Sequence, residues 1–173
     1  MSIRAVNARL AFGLGFAASA AGLAFAYYLQ FVHGLEPCPL CIFQRVAMAA
    51  TGAVFLVAAL HGPAGFGRRV YAALAALAAG AGAAIAGRHV WLQSLPEDEV
   101  PACGPGLDYL LDVMPWQDVL ARILRGDAAC ADIDASFLGL SLPAWTLVAF
   151  VALALWAIAV LFLPTTEAQR TQS

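Results

Sequence analysis

Two cysteines stand three positions apart in the stretch E-P-C-P-L-C-I-F-Q-R, which covers residues 36–45. Pro37 and Pro39 flank the first of them, Cys38, and a long apolar run resumes at Cys41. A C-x-x-C pair can alternate between a dithiol and a disulfide, and its thiolate is the reactive species. The stretch therefore predicts thiol–disulfide chemistry at the edge of a hydrophobic segment.

The chain has four cysteines, and the other two, Cys103 and Cys130, are far apart in sequence. Two structural disulfides would also use four cysteines. A four-cysteine zinc site would do so too, but such sites usually pair two short C-x-x-C knuckles. Covalent haem attachment requires C-x-x-C-H, and Ile42 stands where that histidine would be. Spacing, together with the oxidising compartment inferred below, favours redox chemistry and leaves structural disulfides and a metal site as alternatives.

The position of the C-x-x-C pair strengthens the redox interpretation. Cys38 and Cys41 flank the predicted start of a helix, where the positive end of the helix dipole stabilises a thiolate. Arg45 follows one helical turn further in and adds a full positive charge. A stabilised thiolate form makes the corresponding disulfide a stronger oxidant, which a purely structural bond would not need. The alternative for Arg45 is a side chain that snorkels to the membrane interface.

The elements that carry these residues are predicted to cross a membrane. Hydrophobic residues make up 62% of the chain and charged residues 12%, and the mean hydropathy is +0.81. Soluble chains have roughly twice that charged fraction, and no basic cluster suits nucleic acid. Four apolar segments are long enough to span a bilayer, where lipid favours helices. They cover about residues 10–32, 42–60, 70–92 and 143–163.

The predicted fold is therefore an all-α membrane protein, a four-transmembrane-helix antiparallel bundle that forms a single domain over residues 1–173. The first segment could instead be a signal peptide, because Arg4 and Arg9 precede it and A-A-S-A resembles a cleavage site. Apolar residues continue to Val32, however, which is too long for a typical signal sequence. We expect this segment to be retained as a membrane span.

Arginine placement predicts the orientation of the bundle. Five arginines lie in the three segments that four crossings put on one side, namely Arg4, Arg9, Arg68, Arg69 and Arg170. Positive charge marks the cytoplasmic side, so both termini are predicted to be cytoplasmic. The loops at about 33–41 and 93–142 then face the other side, and they hold all four cysteines. In bacteria that side is the oxidising periplasm, which predicts a multi-pass inner-membrane protein.

The second loop is unusually long, and loops of such length are usually functional. Its breaker-rich stretch P-E-D-E-V-P-A-C-G-P-G predicts an exposed, irregular strip around Cys103. An amphipathic pattern follows, formed by Trp116, Val119, Leu120, Ile123 and Leu124. The pattern predicts a helix that lies on the membrane surface or packs on the end of the bundle.

Small residues in the first and third segments predict where helix backbones approach closely. The candidates are Ala18, Gly22, Ala76, Gly80 and Ala84. The alternative is that these residues only reflect an alanine-rich composition.

Taken together, these motifs resemble the disulfide bond formation protein B (DsbB) family of bacterial inner-membrane thiol oxidoreductases. The resemblance covers nearly the whole chain. It includes C-x-x-C-I-x-x-R at the start of the second helix, a cysteine pair spread over the second loop, and F-L-G-L-S-L-P-A-W before the fourth helix. By resemblance, Cys38 and Cys41 match the quinone-coupled pair. Cys103 and Cys130 match the pair that oxidises a soluble DsbA-like partner of thioredoxin fold.

The resemblance also implies a cofactor, either ubiquinone or menaquinone, and no metal. Arg45 matches an arginine implicated in quinone binding, and His89 resembles a histidine near the quinone at the end of helix three. The implied reaction starts when the partner attacks Cys103; freed Cys130 then attacks Cys38 and releases Cys41 as a thiolate. The implied enzyme is a quinone-dependent thiol:disulfide oxidoreductase.

Two departures and two alternatives accompany this resemblance. Gln44 replaces an acid found in some family members, and Pro39 lies inside the C-x-x-C motif, but neither change removes a required group. The vitamin K epoxide reductase family places its C-x-x-C late in the chain, whereas here it comes first. A membrane scaffold with two loop disulfides would leave Arg45 and the position of the C-x-x-C pair unexplained.

Overall fold

Four long helices correspond to the four apolar segments of the sequence. The computed structural model of the chain describes residues 8–96, 99–100, 107–126, 128–131 and 136–162. The long helices are α1 (Ala8–His33), α2 (Pro39–His61), α3 (Gly65–Leu92) and α7 (Leu142–Phe162). Each is long and apolar enough to cross a membrane. The predicted all-α class with four membrane spans is confirmed.

The outer surface of the bundle is apolar, as lipid requires. Large hydrophobic side chains point away from the core along the helices, for example Leu77 on α3 and Leu155 on α7, which are 70% and 61% exposed. In water, such an apolar surface would be unfavourable. The exposed apolar faces and the helix lengths together identify a multi-pass membrane protein.

Short elements fill the segment between α3 and α7, which we call the second loop. They are α4 (Leu107–Val113), α5 (Trp116–Arg125), α6 (Ala128–Ala131) and a hairpin of β1 (Ser136–Phe137) and β2 (Leu140–Ser141). The hairpin strands are antiparallel and pair Ser136 with Ser141 and Phe137 with Leu140. Leu138 and Gly139 form its turn with positive φ angles, and α7 begins directly after β2.

The bundle core combines aromatic rings with small residues. Phe12, Phe55 and Phe150 are fully buried and come from α1, α2 and α7. Opposite them, α3 contributes mainly alanines, among which Ala75 and Ala79 are fully buried. The principal contacts join α3 to α7, α1 to α2 and α2 to α3. Small side chains on α3 therefore let its neighbours pack close to its backbone.

The small residues predicted to lie where helix backbones approach closely mostly face outward, because the helices pack through other faces. Ala18 and Gly22 on α1, and Gly80 and Ala84 on α3, are exposed, and Ala76 is half-buried. The close approaches occur instead at three buried glycines, and a Cβ at one of them, Gly52, would lie 3.1 Å from the Cβ of Ser19. A Cβ at Gly15 would lie 2.9 Å from the Phe55 ring, and one at Gly82 would overlap the ring of Phe150. An alanine-rich helix carries small residues on every face, so composition could not identify the buried one.

A second, smaller core joins the second loop to one end of the bundle. It contains Leu40 at the start of α2, Leu92 at the end of α3, Val119 and Ile123 of α5, and Cys130 of α6. The amphipathic α5 helix therefore packs on the end of the bundle through its buried face. Its Trp116 remains 68% exposed, so the same helix also presents an apolar side chain outward. This second core brings the two cysteine-bearing regions together.

Candidate active site

Local sequence places the C-x-x-C pair at the start of α2. Cys38 is the N-cap residue, with φ −65° and ψ 164°, and Pro39 occupies the first turn. Proline suits this position because its missing N–H would have no intrahelical partner. The Cys41 backbone N–H donates to Cys38 Sγ over 3.4 Å. The cysteine sulfur therefore takes the capping role that serine or aspartate oxygens usually play.

The two sulfurs of this pair lie in direct contact. The Cys38 thiol donates a hydrogen bond to Cys41 Sγ, and the two sulfur atoms are 3.3 Å apart. Both side chains are half-buried. Both lie at the positive end of the α2 dipole, which favours negative charge on sulfur. The pair can therefore alternate between a dithiol and a disulfide with little movement.

Cys130 reaches this pair from the second loop. It lies in α6, is 1% exposed, and packs in the same apolar cluster as Cys38. The Cys130 thiol also forms a hydrogen bond with Cys38. The structure thus brings together three of the four predicted catalytic cysteines. Cys103 lies outside the described residues.

The neighbours of Cys38 keep its thiol protonated. The Cys130 hydrogen bond lowers the pKa of Cys38, but the hydrogen bond to Cys41, burial and charge on Cys41 together raise that pKa to about 12. Cys38 stands just before the membrane-spanning part of α2. At neutral pH it is therefore a hydrogen-bond donor to Cys41, and it must lose its proton when it forms a disulfide with Cys41.

His89 of α3 lies against both sulfurs. Its Nε2 is 3.8 Å from Cys38 Sγ, and its Nδ1 is 4.0 Å from Cys41 Sγ. The ring is only 2% exposed, and Gln44 Nε2 lies 3.0 Å from Nδ1. A buried imidazole held in this way can exchange a proton with either sulfur. The structure thus places His89 beside both thiols, and the role near a quinone that the resemblance implies stays a prediction.

Arg45 reaches from α2 across to α1. Its Nη1 donates to Gln30 Oε1, and its Nη2 donates to the Ala26 carbonyl oxygen over 3.1 Å. The guanidinium carbon also stands 4.9 Å from the centre of the Tyr27 ring, a cation–π distance. These contacts hold the positive charge in one place, which a snorkelling side chain would not require.

A cavity of about 230 Å³ opens beside these groups, between α1, α2 and α7. Its polar lining comes from Cys41, Gln44 and Arg45 of α2, with Glu36 and Thr146 at its edges, and most of the remaining lining is apolar. His89 is not among the described residues that line this cavity. Cys41 therefore lies at the boundary, with the histidine on the protein side and the cavity on the other.

Comparison with known proteins identifies the family of this chain. The sequence model of the family described as "DsbB: Disulfide bond formation protein DsbB" matches residues 8–160. The chain belongs to the DsbB family.

Curated relatives named "Disulfide bond formation protein B" are similar over most of their length. The protein from Marinobacter nauticus is 55% identical over 145 residues, which are 84% of this chain and 86% of the relative. The one from Nitrosococcus oceani is 55% identical over 148 residues, or 86% and 88% of the two chains. The Acinetobacter baumannii protein is 53% identical over 155 residues, or 89% and 91%.

Membership of the DsbB family establishes the coarse function. This is a membrane thiol:disulfide oxidoreductase of disulfide bond formation, as the cysteine pattern predicts. It is neither a passive scaffold nor a vitamin K epoxide reductase.

Sequence reasoning missed three residues that build or support the DsbB site, and two of them, Gln30 and Trp145, lie at the cavity side. Gln30 lies near the end of α1, and a polar side chain in an apolar helix was the available signal. Trp145, from the motif before the fourth helix, lines the cavity and donates from Nε1 to the Phe137 carbonyl oxygen over 2.9 Å. The neighbouring sequence did not reveal that Trp145 lines the cavity, because α7 comes beside the start of α2 only through packing.

Arg88 is the other missed residue, and it anchors the second loop. Its Nε donates to the Leu124 carbonyl oxygen over 3.1 Å, and its Nη2 donates to that of Arg125 over 2.8 Å. These are carbonyls at the C-terminal end of α5, where positive charge is favourable. Because α6 follows α5 closely, this anchor also positions Cys130.

Proposed function

We propose that this chain reoxidises a soluble, periplasmic DsbA-like thiol oxidase and passes the two electrons to a membrane quinone. One observation carries the proposal. Cys38 touches Cys130 of the second loop on one side and Cys41 on the other, and Cys41 lines an apolar cavity. These contacts form a continuous sulfur path from the second loop to a site accessible from lipid.

The residues of the cavity fit a quinone. The lining is mostly apolar, and it lies at the end of the spanning helices, where residues 35–37 of the first loop close one edge of the cavity. Arg45 and Gln44 offer hydrogen-bond donors to the oxygens of a ring, and Trp145 offers an aromatic surface. A bound ubiquinone or menaquinone would supply a two-electron acceptor next to Cys41. The positive charge of Arg45 would stabilise negative charge that develops there.

The protein's own steps are thiolate exchanges. The partner's thiolate attacks Cys103 of a Cys103–Cys130 disulfide, which releases Cys130. Cys130 then attacks Cys38 of the Cys38–Cys41 disulfide, which forms Cys38–Cys130 and releases Cys41 as a thiolate. The partner's second thiolate attacks the mixed disulfide, which forms the partner's own disulfide and releases Cys103 as a thiolate. Cys103 then attacks Cys130 of the Cys38–Cys130 bond, which restores Cys103–Cys130 and frees Cys38.

The remaining step returns Cys38 and Cys41 to the disulfide with loss of two electrons. The Cys38 thiol must give up its proton in this step, and His89 Nε2 stands 3.8 Å from that sulfur. Nε2 can accept this proton in the tautomer that carries its hydrogen on Nδ1, and rotation of the Gln44 amide lets its oxygen accept from Nδ1–H. We therefore assign the proton transfer at Cys38 to His89.

We also propose that the membrane is the bacterial inner membrane, with both termini in the cytoplasm. The distribution of arginines supports this orientation. Single cysteines for labelling can be placed at Arg69, which is exposed at the start of α3, and at Asp112, which is exposed on α4. A membrane-impermeant reagent should label Asp112→Cys in intact spheroplasts and Arg69→Cys only after lysis. Equal labelling of both would contradict the orientation.

Turnover with purified components tests the whole reaction. Reduced DsbA-like partner and a short-chain quinone are mixed with the protein in detergent, and thiol loss and quinone absorbance are followed together. We expect two thiols lost per quinone reduced. Thiol loss without quinone reduction would contradict the proposal that a quinone accepts the electrons, but it would not contradict the proposed disulfide exchange.

A further inference from the structure

The reduced C-x-x-C pair and His89 form a compact set of soft donor atoms. Cys38 Sγ, Cys41 Sγ and a ring nitrogen of His89 all lie within 4.8 Å of one another. The two sulfurs are 3.3 Å apart, and His89 Nε2 is 3.8 Å from Cys38 Sγ. Zinc bound at its usual bond lengths in tetrahedral geometry places such donors about 3.5–3.8 Å apart. The observed separations are close to that spacing.

A fourth donor comes from the second loop. Cys130 is 1% exposed and shares a hydrogen bond with Cys38, but its sulfur is not part of the group of three that already lies within 4.8 Å, so it must move toward the ion to bind it. Three thiolates and one imidazole form a donor set that binds zinc in structural sites. Thiolate and imidazole ligands also suit other soft ions such as cadmium.

We propose that the fully reduced centre binds one soft divalent cation, Zn²⁺ or Cd²⁺, through Cys38, Cys41 and His89, with Cys130 as the fourth ligand. The ion replaces the protons of the three thiols, which pass to solvent. No electron is transferred. Because a disulfide has no thiolate to donate, the site exists only when the cysteines are reduced.

The surroundings support such a site. Three thiolates and one divalent cation carry a net charge of −1, and Arg45 provides a positive charge on the neighbouring face of α2. Gln44 contacts His89 Nδ1 at 3.0 Å. When a metal occupies Nε2, Nδ1–H can donate to the Gln44 carbonyl oxygen after rotation of the amide. Hydrogen bonds of this kind orient metal-binding histidines.

Metal binding would link the redox state of the centre to soft cations. An ion that binds only the dithiol form stabilises that form by mass action, so it would oppose return of Cys38 and Cys41 to the disulfide. The inference goes beyond the proposed function, because it depends on neither the electron acceptor nor the soluble partner.

Direct titration tests the site without any partner or quinone. The full-length protein in detergent is reduced, freed of reductant under anaerobic conditions, and titrated with Cd²⁺ alone. The thiolate-to-cadmium charge-transfer absorbance reports binding, and Zn²⁺ competition reports the second ion. We expect one ion per chain for the reduced protein and none for the oxidised protein.

Single substitutions identify the ligands. Cys41→Ser and His89→Ala should each weaken Cd²⁺ binding by more than the roughly 10- to 100-fold that loss of an outer hydrogen bond to a metal ligand causes. Gln44→Ala should fall within that outer range. His61→Ala is the matched control, because His61 contacts Tyr71 at the opposite end of α2. Cys103→Ser controls for removal of a thiol outside the proposed donor set.

Thermal unfolding of each variant separates lost ligands from lost structure. If His89→Ala does not fold, Cys41→Ser and Cys130→Ser, which remove only a sulfur, decide the question. Equal Cd²⁺ binding by oxidised and reduced protein would overturn the proposal. Unchanged affinity in a folded Cys41→Ser variant would also overturn it. Failure of the quinone assay would not affect this result, since the titration contains no quinone.

Discussion

Replacing Arg45 with alanine tests how the cavity stabilises its ligand. The guanidinium is held by Gln30 Oε1, by the Ala26 carbonyl oxygen and by the face of Tyr27, and it forms part of the cavity wall. Its charge is therefore fixed where a quinone oxygen would lie. Loss of one charge-assisted hydrogen bond costs about 1.5–3 kcal/mol. At about 1.4 kcal/mol per factor of ten, quinone kcat/KM should fall roughly tenfold to more than a hundredfold.

Two companion variants separate charge from placement. Arg45→Lys keeps the charge but not the planar fork that spans Gln30 and Ala26, so its quinone kcat/KM should lie between those of wild type and Arg45→Ala. Gln30→Ala keeps the arginine but removes one of its anchors, and it should have a smaller effect than Arg45→Ala.

The assay follows quinone absorbance at several quinone concentrations with reduced partner in excess. Thiol exchange between the partner and Cys103–Cys130 should be nearly unchanged in Arg45→Ala, because that pair belongs to the second loop. Thermal unfolding in detergent checks that the variant is folded. Near-normal quinone kinetics in folded Arg45→Ala would refute the role assigned to this charge and restore the snorkelling interpretation.

Three further predictions concern exchange and packing. Cys130→Ser should trap a mixed disulfide between Cys103 and the partner, visible by mass spectrometry; a partner joined only to the C-x-x-C pair would contradict the order of exchange. Arg88→Ala removes two charged hydrogen bonds to α5, each worth about 1.5–3 kcal/mol. It should slow partner oxidation in stopped-flow assays and leave quinone KM unchanged, and a changed KM alone would argue against an anchoring role. Gly82→Ala should destabilise the bundle by about 1–3 kcal/mol in unfolding measurements. The matched variant Gly80→Ala, where a Cβ meets open space, should not; equal destabilisation of both would contradict the packing argument.

The sequence by itself determined the chemistry and the class of fold. Long apolar segments must form helices in lipid because the backbone has no other hydrogen-bond partners there. The position of the C-x-x-C pair at the start of a helix also follows from local sequence, since Pro39 begins the helix and Cys38 caps it. These properties depend on residues that are neighbours in the chain. Sequence patterns can therefore reveal them.

Tertiary structure alone decided which helix faces meet and which side chains converge. His89 of α3 and Cys130 of α6 lie against Cys38, Gln44 of α2 contacts His89, and Trp145 reaches the cavity from α7. Their positions depend on helix rotation, and in an alanine-rich helix every face has nearly the same composition. Tight packing at buried glycines, such as the rings of Phe55 on Gly15 and Phe150 on Gly82, selects one rotation, because a buried ring tolerates little displacement. That selection places the histidine beside the thiols rather than on the cavity wall.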